Sequence, residues 1–254
     1  NVGTSYTAMN GTVAKSFVYP ILVKGNTTAA TGKTSYAHFA DTSVRFSIFL
    51  ASGYTGSASN GALTTTALQA IEKLSIVDGV LDCGTGTTMP ISNFVNSDQT
   101  LSYAASMYDL TGIAALTGLT EITLPNQFIT DIDDLSSLDG LETINLSNNL
   151  IADIDSLAVL TNVNTLNLKS NVIKTTIFNG NSVFEIMLEN GLQSLDISDN
   201  GLIDYTAISA MATAYSLNLA SLNLFNTACT YDYQAITALK NLLDSDTDNT
   251  ISVS

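Results

Sequence analysis

Residues 119–140, LTEITLPNQFITDIDDLSSLDG, and residues 141–162, LETINLSNNLIADIDSLAVLTN, are two copies of one phrase. Apolar residues fall at matching places in both, so that Leu119, Ile122 and Leu124 answer Leu141, Ile144 and Leu146. The phrase L-x-x-L-x-L-x-x-N returns as Val163/Leu166/Leu168, Leu192/Leu195/Ile197 and Leu219/Leu222/Leu224, with starts 22, 22, 29 and 27 residues apart. Self-similarity at such a period is the signature of a solenoid whose coils each form one supersecondary unit.

The spacing of the leucines assigns the coil type: an α/β leucine-rich-repeat solenoid, with short parallel strands lining its concave face. The three apolar residues of each phrase point into a core that one repeat cannot close alone. Asparagine follows three residues after the last of them at Asn149, Asn171 and Asn200. Buried there, its amide can satisfy backbone groups of the turn that would otherwise be costly orphans. Gln127 and Thr227 stand at this position in the first and last repeats, where a coil meets a cap and not a neighbour. The return path carries its own apolar ladder, Ile129, Ile132, Leu135 and Leu138 matching Ile151, Ile154, Leu157 and Leu160.

The combined phrase L-x-x-L-x-L-x-x-N/Q-x-I-x-x-I-x-x-L-x-x-L resembles the 22-residue repeats of internalin-like bacterial surface proteins. The resemblance covers roughly residues 110–230. It implies a binding protein, because members of that family mostly engage other macromolecules in adhesion or scaffolding. The later repeats depart from it: the segments at 177–190 and 205–216 are longer and predict helices on the outer side.

The 254 residues divide into a β-rich region at 1–60, a helical cap and loop at 61–100, the solenoid at 101–230 and a helical cap with an acidic tail at 231–254. In the first region Val13–Lys24 and Ser43–Ser52 read as strands bounded by Gly, Asn, Thr and Ser. Pro20 assigns the first of them to an edge or a bulge. Leu68, Ile71 and Leu74 predict a helix over Thr64–Leu74 that caps the core. Residues 84–100 predict a loop, leading to a degenerate repeat near Leu101–Leu116.

Composition bounds the function. With 45% hydrophobic residues the chain folds, and no apolar run approaches the length of a membrane span. The net charge of −15 falls wholly in residues 101–254, since residues 1–100 carry five basic and five acidic groups. Such a surface repels phosphate backbones and excludes nucleic acid as a partner. An N-terminal asparagine fits a processed, exported chain and an extracellular or cell-surface location. Of the two cysteines, Cys229 sits in an apolar slot and reads as a buried thiol, with a bridge to Cys83 as the alternative. Sequons at Asn10, Asn26 and Asn145 are too short a signal to assign glycosylation.

Catalytic motifs do not assemble. Val80–Thr88, VLDCGTGTT, resembles the glycine-rich opening of S-adenosylmethionine-dependent methyltransferases, but Thr88 replaces the third glycine and Met89-Pro90 breaks the required helix. A glycine-rich turn is the better account. His38 is the only histidine, and no G-x-S-x-G elbow accompanies it. Asp131 and Asp133 recur 22 residues on as Asp153 and Asp155, which marks them as repeat decoration and not a general acid/base pair. The tail Asp244-Ser245-Asp246-Thr247-Asp248-Asn249-Thr250-Ile251 resembles the first part of an EF-hand or dockerin calcium loop, implying calcium ligation by Asp244, Asp246 and Asp248 and the carbonyl of Thr250. The glutamate expected at the loop's twelfth position is missing. No other cofactor is implied.

Strand residues flanking the core leucines form the concave face. They read Glu121, Thr143, Thr165, Ser194, Ser221; then Thr123, Asn145, Asn167, Asp196, Asn223; then Pro125, Ser147, Lys169, Ser198, Phe225. These columns are small and polar, unlike the aromatic and arginine anchors of tight protein interfaces. Two functions fit: a non-enzymatic adhesion or recognition protein engaging a protein or glycan at a cell surface, or a self-assembling subunit of an extracellular filament or surface layer.

Overall fold

The computed structural model describes residues 68–84, 110–173, 177–201 and 220–227, together with the backbone of short strands at 5–6, 17–18, 88–90 and 250–252. The expectations for 20–60, His38, 205–216, Cys229 and 235–249 lie outside the described residues.

Strands β1 (Ser5–Tyr6) and β2 (Phe17–Val18) pair antiparallel as a separate two-stranded sheet. Among the described residues the main sheet has nine strands. In chain order they are β3 (Lys73–Val77), β4 (Val80–Asp82), β5 (Thr88–Pro90), β6 (Glu121–Thr123), β7 (Thr143–Asn145), β8 (Thr165–Asn167), β11 (Ser194–Asp196), β12 (Ser221–Asn223) and β13 (Thr250–Ser252). Their spatial order is β13-β12-β11-β8-β7-β6-β3-β4-β5. From β3 to β13 every pairing is parallel, and one register runs through the repeats: Leu74, Ile122, Ile144, Leu166, Leu195, Leu222 and Ile251 face one another in turn. This is the leucine-rich-repeat solenoid.

Behind the strands, the return-path residues Ile129, Ile132, Leu135 and Leu138 and their counterparts from Ile151 to Leu160 are buried in one continuous core. The outer turns are short 3₁₀ segments, Ile113–Ala115, Asp133–Ser137 and Asp155–Val159. The 29-residue repeat uses its extra length for a hairpin and a helix. Strands β9 (Ile177–Phe178) and β10 (Asn181–Ser182) pair antiparallel across Asn179 and Gly180, both at positive φ, and helix α1 (Val183–Glu189) follows. Asparagine-glycine is the dipeptide that supplies such a turn cheaply. The helix expected over 177–190 is therefore a hairpin followed by a shorter helix.

A second correction concerns the expected helix over 64–74. Helical structure ends at Gln69, and Lys73–Val77 is strand β3 beside β6. Leu68, Ile71 and Leu74 are all buried, as a cap would require, but Ile71-x-x-Leu74-x-Ile76 is the repeat phrase itself. A spacing of three is shared by a helix face and by the start of this phrase; the alternation Leu74, Ile76 belongs only to a strand. After this start β3 turns through Asp78-Gly79 into β4, β5 follows, and among the described residues a matching outer turn is seen at Leu110–Leu116. Val80–Asp82 thus lies in an antiparallel meander, not in a strand-turn-helix, and Thr88–Pro90 is a strand where a loop was expected. Gly118 is where the chain closes back, since a Cβ there would run into the carbonyl oxygen of Gln69.

Two sets of bonds hold successive coils in register. In the first, each buried asparagine bridges two repeats. Asn149 Oδ1 accepts from the Ile129 N–H, while its Nδ2 donates to the carbonyls of Leu124, Leu146 and Ser147. Asn171 does the same with Ile151, Leu146, Leu168 and Lys169, and Asn200 with Ile173, Leu168, Ile197 and Ser198. At the ends Gln127 Nε2 reaches the carbonyl of Pro125, and Thr227 Oγ1 that of Leu224. In the second set, the residue before each ladder position adopts positive φ and donates its N–H to the next coil, as Asn126 does to Ser147, Asn148 to Lys169, Ser170 to Ser198 and Asp199 to Phe225.

Replacing Asn171 by alanine leaves buried backbone groups in both coils without partners, and should lower stability by about 3 kcal/mol in chemical denaturation. Ser170 is the one residue of its column that is neither Asn nor Asp, the types that tolerate left-handed φ best. Ser170→Asn should raise stability by roughly 0.5 kcal/mol in the same assay.

Candidate functional site

Alternation along each strand places two residues per coil on the concave face. Its first column is Lys73, Glu121, Thr143, Thr165, Ser194 and Ser221, and all but the exposed Ser221 are half-buried. The second column is Ser75, Thr123, Asn145, Asn167, Asp196 and Asn223; Ser75 is buried and the rest half-buried. Thr250 and Ser252 continue the two columns on the backbone of β13.

The second column is largely occupied with turning the chain. Asn145 Oδ1 accepts from the Ser147 N–H and hydroxyl at 3.1 and 2.9 Å. Asn167 Oδ1 accepts from the Lys169 N–H, Asp196 Oδ1 from the Ser198 N–H and hydroxyl, and Asn223 Oδ1 from the Phe225 N–H. These are Asx turns, in which a short side chain holds the backbone two residues on. The first repeat has Thr123 there, and two residues on stands Pro125, which has no N–H to hold. Ser147 and Ser198, expected to face the concave surface, are buried because their hydroxyls are drawn back to Asn145 and Asp196. Lys169 and Phe225 do reach solvent, Phe225 with 42% exposure.

The cations on this face are paired. Lys73 Nζ lies 3.1 Å from Glu121 and 3.2 Å from Asp82, and the Glu121 hydrogen bond leads the causes that raise its pKa. The Gly84 N–H and then Lys73 hold the Asp82 carboxyl below its usual range. Lys169 Nζ stands 3.5 Å from Asp199, whose pKa is lowered first by the amide of Asn226. Asp196 receives Asn223 Nδ2 on its second oxygen at 3.1 Å. Among the described residues nothing accepts from Asn145 Nδ2 or Asn167 Nδ2.

Between β8, β11 and β12 the face dips into an open cavity of about 490 Å³, lined by Thr165, Leu166, Asn167, Ser194, Asp196, Ser221, Leu222 and Asn223. It presents hydroxyls, amides and one carboxylate. No group of three or more His, Cys, Asp or Glu able to hold a metal occurs among the described residues. Asp244, Asp246 and Asp248 lie outside them. Thr250, whose carbonyl was expected in the calcium loop, lies on strand β13, paired with β12. Cys83 is a buried free thiol pushed up to about 12 by burial and by Asp82. Phe184 is core, and Phe178 packs against it.

The acids of the outer turns also have structural duties. Asp131 accepts from the Asp133 N–H, Asp153 from the Asp155 N–H, and Asp134 from the Gly112 N–H, so each starts or braces a 3₁₀ turn. Asp133 has a raised pKa, from Asp131 first, then burial, Asp153 and Asp134. Asp155 is raised by burial first, then by Asp153 and Asp133.

The fold is a leucine-rich-repeat solenoid, similar to that of solved internalins. Among solved structures, the chain is similar to internalin C2 of Listeria monocytogenes, with a TM-score of 0.52 and 18% identity over 88% of this chain and 100% of that one. It is similar also to the internalin InlF of the same organism, with a TM-score of 0.50 and 21% identity over 80% of this chain. The match spans about half, 54%, of the InlF chain. No family profile and no curated protein matches the sequence. Among the described residues no helix is long and apolar enough to cross a membrane.

Two opposite pH responses follow from the carboxylates. A raised folded-state pKa means that the folded chain takes up protons first, so Asp133 and Asp155 add stability as the pH falls through their folded values. Asp82 and Asp199, with depressed values, hold their contribution at neutral pH and lose it as the pH falls through their folded values. Asp133→Asn should raise the melting temperature at neutral pH and leave a smaller gain on mild acidification, as followed by thermal melts across the acid range.

Proposed function

We propose that this chain is a non-enzymatic recognition or adhesion module acting outside the cell, and that its concave cavity takes a polar, glycan-like ligand. One observation carries the reading. The cavity at β8, β11 and β12 sets the hydroxyls of Thr165, Ser194 and Ser221 beside Asn167, Asp196 and Asn223, whose side chains are held by the backbone N–H groups two residues on. Preorganised donors and acceptors of this kind suit the hydroxyl groups of a sugar, because little side-chain entropy is lost on binding. Phe225 at the end of β12 supplies an exposed aromatic face close to the cavity. Likeness to internalins favours binding over catalysis, and paired cations at Lys73 and Lys169 argue against capture of anions.

A second reading, assembly into a filament or surface layer, draws on β5 and β13. Each of these terminal strands of the nine-stranded sheet is hydrogen-bonded to a described strand on one side. An edge of this kind can template pairing with another chain.

The binding reading is tested by a glycan array on the full chain, followed by calorimetry with any oligosaccharide retained. Ser194→Trp fills the cavity without touching a residue that holds a turn, and should weaken binding about tenfold or more at an unchanged melting temperature. Retention of full affinity by this variant, or a chain that binds no glycan and polymerises in light scattering, would overturn the concave-site reading.

A further inference from the structure

We propose that the flank where the chain leaves its strands is a second binding surface, shaped for an extended segment of a partner protein that carries apolar side chains beside lysine or arginine. It is separate from the concave cavity and does not depend on it.

The surface starts as a sequence regularity. Phe128, Leu150 and Val172 are 22 residues apart and each directly follows a ladder residue, Gln127, Asn149 or Asn171. All three are exposed, by 47, 46 and 43%. Their backbones are zipped together, with Leu150 donating to the carbonyl of Ile129 at 2.9 Å and Val172 to that of Ile151 at 3.0 Å. The side chains therefore stand in adjacent coils, about 4.8 Å apart, as one strip. Isolated exposed apolar residues call for no explanation, but a contiguous row marks a contact surface. The fold does not require it: in the next coil the same place is held by exposed Gly201.

Charge then selects the partner. Three residues beyond Phe128 and Leu150 stand Asp131 and Asp153, within about 10 Å along an extended chain. Asp133 and Asp155 follow, and the four carboxylates repel one another across the coils. The basic residues among the described ones are engaged elsewhere, Lys73 with Asp82 and Glu121, Lys169 with Asp199. Beside Phe128 and Leu150 the strip is bordered by these acids and, among the described residues, by no cation; Lys174, two residues beyond Val172, lies outside them. Such a border is complementary to a segment with apolar residues on one side and basic residues on the other. A second copy of this chain fits poorly, since the half that bears the strip carries the whole net charge of −15 and would set acid against acid.

The test uses the full chain and a short fluorescent peptide alternating lysine and leucine, with lysine-serine and glutamate-leucine peptides as controls. Anisotropy should show binding of the first peptide and neither control. Leu150→Ser with Val172→Ser should weaken it about tenfold, and Asp131→Asn with Asp153→Asn should weaken it comparably while reducing its salt dependence. Hydrogen exchange on the unmodified protein gives an independent readout: protection by the peptide should fall on 126–132 and 148–154. Protection on the β8–β12 strands instead, equal binding of the lysine-serine peptide, or unchanged affinity in the first double variant would each overturn the proposal. So would dimerisation of the unmodified chain that this variant abolishes, because the strip would then serve a second copy.

Discussion

A buried asparagine amide that serves two coils at once is the constraint on which this structure rests. Every coil must turn inside an apolar core, and the turn leaves carbonyls and N–H groups that water cannot reach. An amide side chain carries two donors and an acceptor in one rigid plane, which serine or leucine at the same place does not. Leu146 O receives Asn149 from its own coil and Asn171 from the next, and Leu168 O is shared in the same way by Asn171 and Asn200. The ladder is therefore continuous, and it locks the repeats into the single register that aligns their side chains in columns.

That register has a consequence for reading the concave face. Asn145, Asn167, Asp196 and Asn223 form a column that resembles a row of ligand-binding groups, yet each has one oxygen committed to the backbone two residues on. The exception tests the explanation, because Thr123 stands where the following proline has nothing to donate. What remains for a ligand is narrower: the hydroxyls of Ser194 and Ser221 and the amide nitrogens of Asn145 and Asn167, since both oxygens of Asp196 already accept, one from Ser198 and one from Asn223. A side chain held in place for folding is also preorganised for binding, so structural and ligand-facing roles meet in the same residues.

The outer surface obeys a different rule. Asp131 and Asp153 each begin a 3₁₀ turn by accepting an N–H, and repetition of that local device stacks carboxylates that repel one another. Periodic structure here multiplies a single residue choice into a surface property, as it does for Phe128, Leu150 and Val172.

The repeat phrase by itself determined the solenoid, the buried leucine columns and the parallel order of the strands, because a period of 22 residues with that apolar spacing has one packed solution. It left hidden the coil at Ile71–Ile76, whose first spacing of three also suits a helix. The hairpins at Asp78-Gly79 and Asn179-Gly180 carry a turn dipeptide, but such a turn becomes a hairpin only where the strands on either side find packing partners in the fold. Only the tertiary structure decided which polar strand residues are free, since a side chain's commitment depends on the N–H within its reach, and Ser147 and Ser198 turn inward for that reason. Likewise, only the stacking of coils brings Asp133 and Asp153, distant in sequence, close enough for their charges to matter.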